Sequence, residues 1–230
     1  TKGMLDAMMK APVGDDVYGE DPTANELQEE AAKLLGKEAA LFLSSGTQSN
    51  LCAMLTHCQR GEEIITGEHY HVFGSEAGGA SALGGIIFAT VPHTKNGSIN
   101  IADVINKIKP NDSHYPISKL LSLENTHDGM VQSPEEISDL ALAGKQNDLL
   151  VHLDGARLMN AVVSLGVDVS DILKDVDTVS LCLSKGLGAP MGTILAGSKT
   201  FIKRAHRTRK LLGLSLIHIR RCRRYSLCRS

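Results

Sequence analysis

An α/β fold with a mostly parallel sheet follows from three features of this 230-residue sequence. Short apolar runs alternate with segments whose apolar residues recur at helical spacing. Most of these runs are continuously apolar, as expected of strands buried on both faces. Small, polar and titratable residues collect where the runs end, the edge at which such sheets bind ligands.

Each element follows in order. A loop rich in Gly, Asp and Pro, VGDDVYGEDPT (13–23), comes first. Thr23 and Glu26 then read as a capping box. Leu27, Ala31, Leu34 and Leu35 continue at helical spacing, and Gly36 stops the helix. AALFLS (39–44) is a strand, and TQSNLCAMLTHC (47–58) is a helix with Leu51, Met54, Leu55 and Cys58 on one face. IIFATV (86–91) is a strand, and NIADVINKI (100–108) is a helix that turns Ile101, Val104, Ile105 and Ile108 inward. LLSLEN (120–125) is a strand. SPEEISDLALAGKQ (133–146) is a helix capped by Ser133, with Pro134 and Glu136 in its first turn. LLVHLD (149–154) is a strand, and a helix starts near Arg157. TVSLCL (178–183) and MGTILAGS (191–198) are strands on either side of CLSKGLGAP (182–190).

Composition sets limits. Hydrophobic residues make up 42% and charged residues 22%, which suits a packed core rather than disorder. With no Trp, that core rests on Leu, Ile, Val, Ala and Met. Five Cys, an odd number with no CxxC, suggest free thiols in a reducing compartment, and no His spacing suggests zinc. No apolar stretch approaches the ~20 residues that cross a membrane, and no signal-peptide pattern opens the chain. A cytoplasmic protein without membrane contact is expected. A mitochondrial location stays open if a segment precedes Thr1.

The strand ends carry the chemistry. SSGTQSN (44–50) joins a strand to a helix whose first N–H groups favour an anion, although ordinary capping also explains the pattern. Glu124, Asn125, Thr126 and His127 follow LLSL. Asp154, in HLDGAR, is either an acid at a ligand edge or a helix cap paired with Arg157. Lys185 follows an apolar run, where full desolvation would lower its pKa by roughly 3–5 units. A lysine of lowered pKa is a Schiff-base nucleophile, and an aspartate on a pyridinium nitrogen is the usual partner of pyridoxal phosphate. Phosphate cradle, acid and lysine occur in order.

GDDVYGEDPT, LFLSSGTQSN, EAGG, LSLENTH, HLDGARLMNA and CLSKGLGAPMG together resemble the threonine aldolases, from about residue 2 to residue 213. The resemblance implies fold type I, the aspartate-aminotransferase-like large domain, and pyridoxal 5′-phosphate as cofactor. It implies that Lys185 carries the cofactor as a Schiff base and that Asp154 pairs with its ring nitrogen. Arg157 would lie near the phenolic oxygen or the substrate, while Gly46, Thr47 and Gln48 would bind the phosphate. His71 would stack on the ring, and His127 would handle the substrate's β-hydroxyl. The other histidines (57, 69, 93, 114, 152, 206 and 218) are expected to be ordinary surface or core residues. The implied reaction is retro-aldol cleavage of L-threonine or L-allo-threonine to glycine and acetaldehyde. A β-eliminating lyase and a catalytically inactive fragment are the alternatives.

Two departures from the family pattern matter. An RSDT-like segment is missing before the first helix. After RKLLG (209–213), a glycine-rich segment and a small C-terminal domain are replaced by LSLIHIRRCRRYSLCRS (214–230). Residues 199–230 hold 3 Lys and 8 Arg and no acid, leaving the preceding residues with 13 basic against 26 acidic side chains. The segment 214–230 is expected to be frameshift or read-through following a large domain at 1–213, not a nucleic-acid tail. The resemblance also implies a homodimer or homotetramer, with Tyr18 reaching a neighbouring subunit's site.

Overall fold

The computed structural model describes residues 1–214; the atypical segment lies, beyond Leu214, outside the described residues. Seven strands form one sheet: β1 (Ala39–Leu43), β2 (Glu63–Gly67), β3 (Ile87–Val91), β4 (Ser118–Glu124), β5 (Leu150–Gly155), β6 (Thr178–Cys182) and β7 (Thr193–Gly197). Their order is β1-β7-β6-β5-β4-β2-β3. Only β7 runs against its neighbours, β1 and β6. The carboxyl ends of β1, β4, β5 and β6 therefore meet the start of β7 at one edge.

Among the described residues ten helices accompany the sheet: α1 (Lys2–Lys10), α2 (Pro22–Leu34), α3 (Gly46–His57), α4 (His71–Gly74), α5 (Gly79–Gly84), α6 (Ile101–Lys107), α7 (Pro134–Lys145), α8 (Leu158–Leu165), α9 (Val169–Leu173) and α10 (Lys199–Leu211). Central strands are fully buried because helices cover both faces: Leu120, Leu121, Val151, Leu153 and Val179 are all inaccessible to solvent. Among the described residues, no helix is long and apolar enough to cross a membrane.

Three local expectations are corrected. Helix α2 begins with Pro22, and its cap is Asp21, whose carboxylate accepts the Ala24 N–H at 3.0 Å. The Thr23 hydroxyl instead donates to Pro12 O at 2.5 Å, so no capping box forms with Glu26. Ile105 faces solvent at 42% exposure while Val104 is buried. The seven-residue helix α6 is too short for all four isoleucine and valine positions to share its inner face. Lys185 lies past the end of β6 and is exposed, not buried between two strands. By contrast, the Ser133–Glu136 capping box of α7 is present in both directions.

The aspartate-rich loop is anchored from a distance. Asp16 begins a 3-10 turn, Asp16–Tyr18, and its carboxylate accepts a 2.6 Å bond from the Arg209 guanidinium of α10. Arg209 also donates to Phe42 O at 2.8 Å and is 2% exposed. Tyr18, three-quarters exposed, projects outward from this turn.

Candidate active site

Strand register sets the row of site residues. Glu124 of β4 lies beside Asp154 of β5, and Asp154 beside Ser180 of β6. Two residues further along β6, Cys182 pairs with Thr193 of β7, which also pairs with Leu43 of β1. Gly46 opens α3 just past β1. A Cβ on Gly46 would come within 2.8 Å of Cys182 Sγ, so only glycine lets the helix start sit this close to the sheet edge.

The Ser45 hydroxyl caps α3 by accepting the Gln48 N–H at 3.2 Å. Gln48 Oε1 turns back to accept both the amide and the hydroxyl of Ser44, at 3.0 and 2.8 Å. Among the described residues, the Gly46 and Thr47 amides have no acceptor. They form an open anion cradle on a twelve-residue helix.

Asp154 is 3% exposed. Its Oδ1 accepts the Ala156 N–H at 3.0 Å, and its Oδ2 accepts Asn50 Nδ2 at 2.8 Å. Asn50 Nδ2 also donates to Glu76 Oε1 at 2.8 Å, and that oxygen meets His71 Nδ1 at 2.9 Å. His71, Glu76 and Asp154 thus bring ligand atoms within 4.8 Å of one another, and Asn50 Nδ2 donates to both acids. The His71 backbone N–H donates to Glu124 Oε2, and His127 Nδ1 lies 3.0 Å from Glu124 Oε1. One carboxylate therefore joins both candidate histidines. Burial, ahead of every other influence, holds the Glu76, Glu124 and Asp154 carboxyls above their ordinary values. The positive charge of Lys185 acts in the opposite direction on Asp154. Lys185 and Arg157 are both exposed. Neither forms a hydrogen bond or ion pair through its side chain among the described residues.

Four neighbours were not singled out as site residues in the sequence, although Asn50 and Glu76 lie inside quoted motifs. Asn50 and Glu76 look like ordinary helix and loop residues. His93 stacks on His127, with ring centroids 4.5 Å apart and planes 9° apart, and Tyr70 meets His127 edge-on at 5.1 Å. Glu124 was already marked by its place at the end of the LLSL run, but no local chemistry marks these four.

His57 and His152 are core residues, and burial lowers each to about 3. The unfolded chain binds protons on both below about pH 6.5, while the folded chain does not. Stability from this pair is complete above pH 6.5 and lost as pH falls towards 3, at about 2 kcal/mol per histidine by pH 5. The raised acids contribute in the opposite sense, losing stability as pH rises through their folded values. Urea midpoints should fall from pH 7 to pH 5 and fall less steeply in His152→Gln. Equal slopes would show that His152 is not held neutral.

The sheet, with its single antiparallel strand and its acid-and-lysine edge, is the fold type I, aspartate-aminotransferase-like large domain. The profile of the beta-eliminating lyase family matches residues 1–221, and the chain belongs to that family. It is 50% identical to the low specificity L-threonine aldolase of Escherichia coli (strain K12), over 93% of this chain and 64% of that protein. It is 43% identical to low-specificity L-threonine aldolase 1 of Arabidopsis thaliana, over 93% and 61% of the two lengths. The solved structure of Leishmania major threonine aldolase matches with a TM-score of 0.81 and 26% identity, over 94% of this chain and 64% of that one. The chain spans less than two thirds of the length of these curated relatives.

Proposed function

We propose that this chain is the cofactor-binding large domain, residues 1–213, of a pyridoxal-phosphate-dependent lyase that cleaves L-threonine or L-allo-threonine to glycine and acetaldehyde. The observation that carries this reading is the convergence of three groups on one sheet edge. They are the open α3 cradle, the buried Asp154 and the exposed Lys185.

These residues fit the cofactor chemically. Gly46, Thr47 and Gln48 would hold its phosphate, Lys185 its aldehyde carbon and Asp154 its ring nitrogen. His71 would cover the ring face, and Arg157 would lie by the phenolic oxygen or the substrate. When bound, pyridoxal phosphate supplies the electron sink for breaking a bond at the amino acid's α-carbon. The protein's part is orientation and proton handling. With Nδ1–H directed at Glu124, His127 presents Nε2 as the acceptor for the β-hydroxyl proton, directly or through water. Glu124 holds the imidazole in that tautomer and steadies the imidazolium that forms.

Incubation with L-threonine and added cofactor should yield glycine and acetaldehyde in equal amounts. Formation of 2-oxobutyrate and ammonia would replace this reading with β-elimination, the reaction in the family's name. Absence of both would mark an inactive fragment.

The assembly we propose is a homodimer or homotetramer in which Tyr18, exposed in the single chain, reaches a neighbouring subunit's site. Sedimentation should show a species of at least two chains that weakens in Tyr18→Ala. A monomer at all concentrations overturns it.

A further inference from the structure

We propose that Asn50, His152, Thr178 and His57 form a proton-ordered relay whose donors all point towards Asp154, and that they are positioning residues keeping this carboxylate oriented and anionic. The inference rests on the role given to Asp154 above. It extends the site into the core, to two histidines that touch no ligand edge.

The ordering follows from hydrogen-bond chemistry, one atom at a time. Asn50 Nδ2 donates to Asp154 Oδ2 and to Glu76 Oε1, both at 2.8 Å, which uses both of its hydrogens. Its Oδ1 can only accept, so His152 Nε2, 3.2 Å away, must carry a proton. The neutral His152 then has a bare Nδ1, and Thr178 Oγ1, at 2.9 Å, must donate to it. That hydroxyl spends its one hydrogen there, so His57 Nε2, at 2.8 Å, donates to its oxygen. Among the described residues, His57 Nδ1 is left as a bare buried acceptor without a partner, and it ends the chain there.

Both imidazoles must be neutral for this arrangement, and burial lowers both, outweighing at His152 the Thr178 backbone contact that acts the other way. His57 is also packed flat on Phe201, with centroids 4.4 Å apart. Hydrogen bonds in series polarise one another in a low-dielectric interior. The aligned donors therefore oppose the burial that favours a protonated Asp154. The other charged and titratable groups facing Asp154 are Glu124 on β4, His71 and Glu76 from the α4 region, Cys182 of β6 and Lys185 after it. None of them can replace a donor on the Asn50 side.

Thr178 is the link to test, because Thr178→Val keeps its shape and removes its hydroxyl, while Thr178→Ser keeps the hydroxyl. Nitrogen-15 NMR of the cofactor-free full chain should show His57 and His152 as neutral Nε2–H tautomers at pH 6. An Nδ1–H tautomer at His152 would break the order and overturn the proposal. Carbon-13 NMR should show Asp154 titrating at higher pH in Thr178→Val and near the wild-type position in Thr178→Ser. An unchanged Asp154 titration in Thr178→Val also overturns it. With cofactor and L-threonine, kcat should fall about tenfold in Thr178→Val, equivalent to one lost hydrogen bond, with little change in KM. Thr178→Ser should restore it. The NMR results stand without turnover, so failure of the relay and failure of the aldolase reading are told apart.

Discussion

Lys185→Ala is expected to abolish the visible absorbance band formed with added pyridoxal phosphate, and with it turnover of L-threonine. The lysine follows β6 in the segment that leads towards β7, beside the α3 cradle that Gly46 opens. Glycines follow it, and Gly188 holds a φ of +73° that other residues rarely adopt. Removing Lys185 would eliminate the proposed covalent attachment, a loss of at least on the order of 10³-fold in kcat. Because Lys185 is exposed and unpaired among the described residues, its removal should change stability by no more than about 0.5 kcal/mol. A retained band in folded Lys185→Ala protein would mean that another amine holds the cofactor.

Arg209→Met is expected to cost about 3–5 kcal/mol of stability, the usual penalty for removing one partner of a buried ion pair. The Arg209 and Asp16 side chains are 2% and 3% exposed and lie 2.6 Å apart. Methionine fills much of the arginine's volume but strands the Asp16 carboxylate away from water and leaves Phe42 O without its donor. Adding Asp16→Asn should recover a substantial part of the loss, because the stranded charge is then gone. Denaturant unfolding of both single variants and the double variant checks this. Additive effects would show that the two side chains do not interact. The pair also ties α10 to the turn bearing Tyr18, so Arg209→Met should weaken the proposed assembly as well.

The sequence by itself determined whatever repeats locally or ends locally. The continuous apolar runs of β4, β5 and β6 identify buried parallel strands, since both faces of such a strand meet helices. Ser133, Pro134 and Glu136 fix the start of α7 within one turn of chain. Lys185, Asp154, Gly46 and Thr47 stood out as candidates because strand ends are where this kind of sheet binds ligands, whereas Gln48 came from the family resemblance. The sequence reading contains nothing for β2, which begins with a charged residue. Only the fold shows Glu63 buried, accepting the Ser118 hydroxyl at 2.9 Å. Nor does it contain α1, none of whose residues is buried.

Tertiary structure alone decided the partners. Asn50 meets Glu76 and Asp154 across 26 and 104 residues of chain, and His57 meets Thr178 across 121. Such contacts leave no period and no motif, because each side chain is locally an ordinary member of its helix or strand. The charge state of Asp154 and the neutrality of His57 and His152 depend on what the whole sheet and its helices exclude, which is water. Burial is a property of the assembled layers, so a short window of sequence can place a residue at the edge without fixing its protonation.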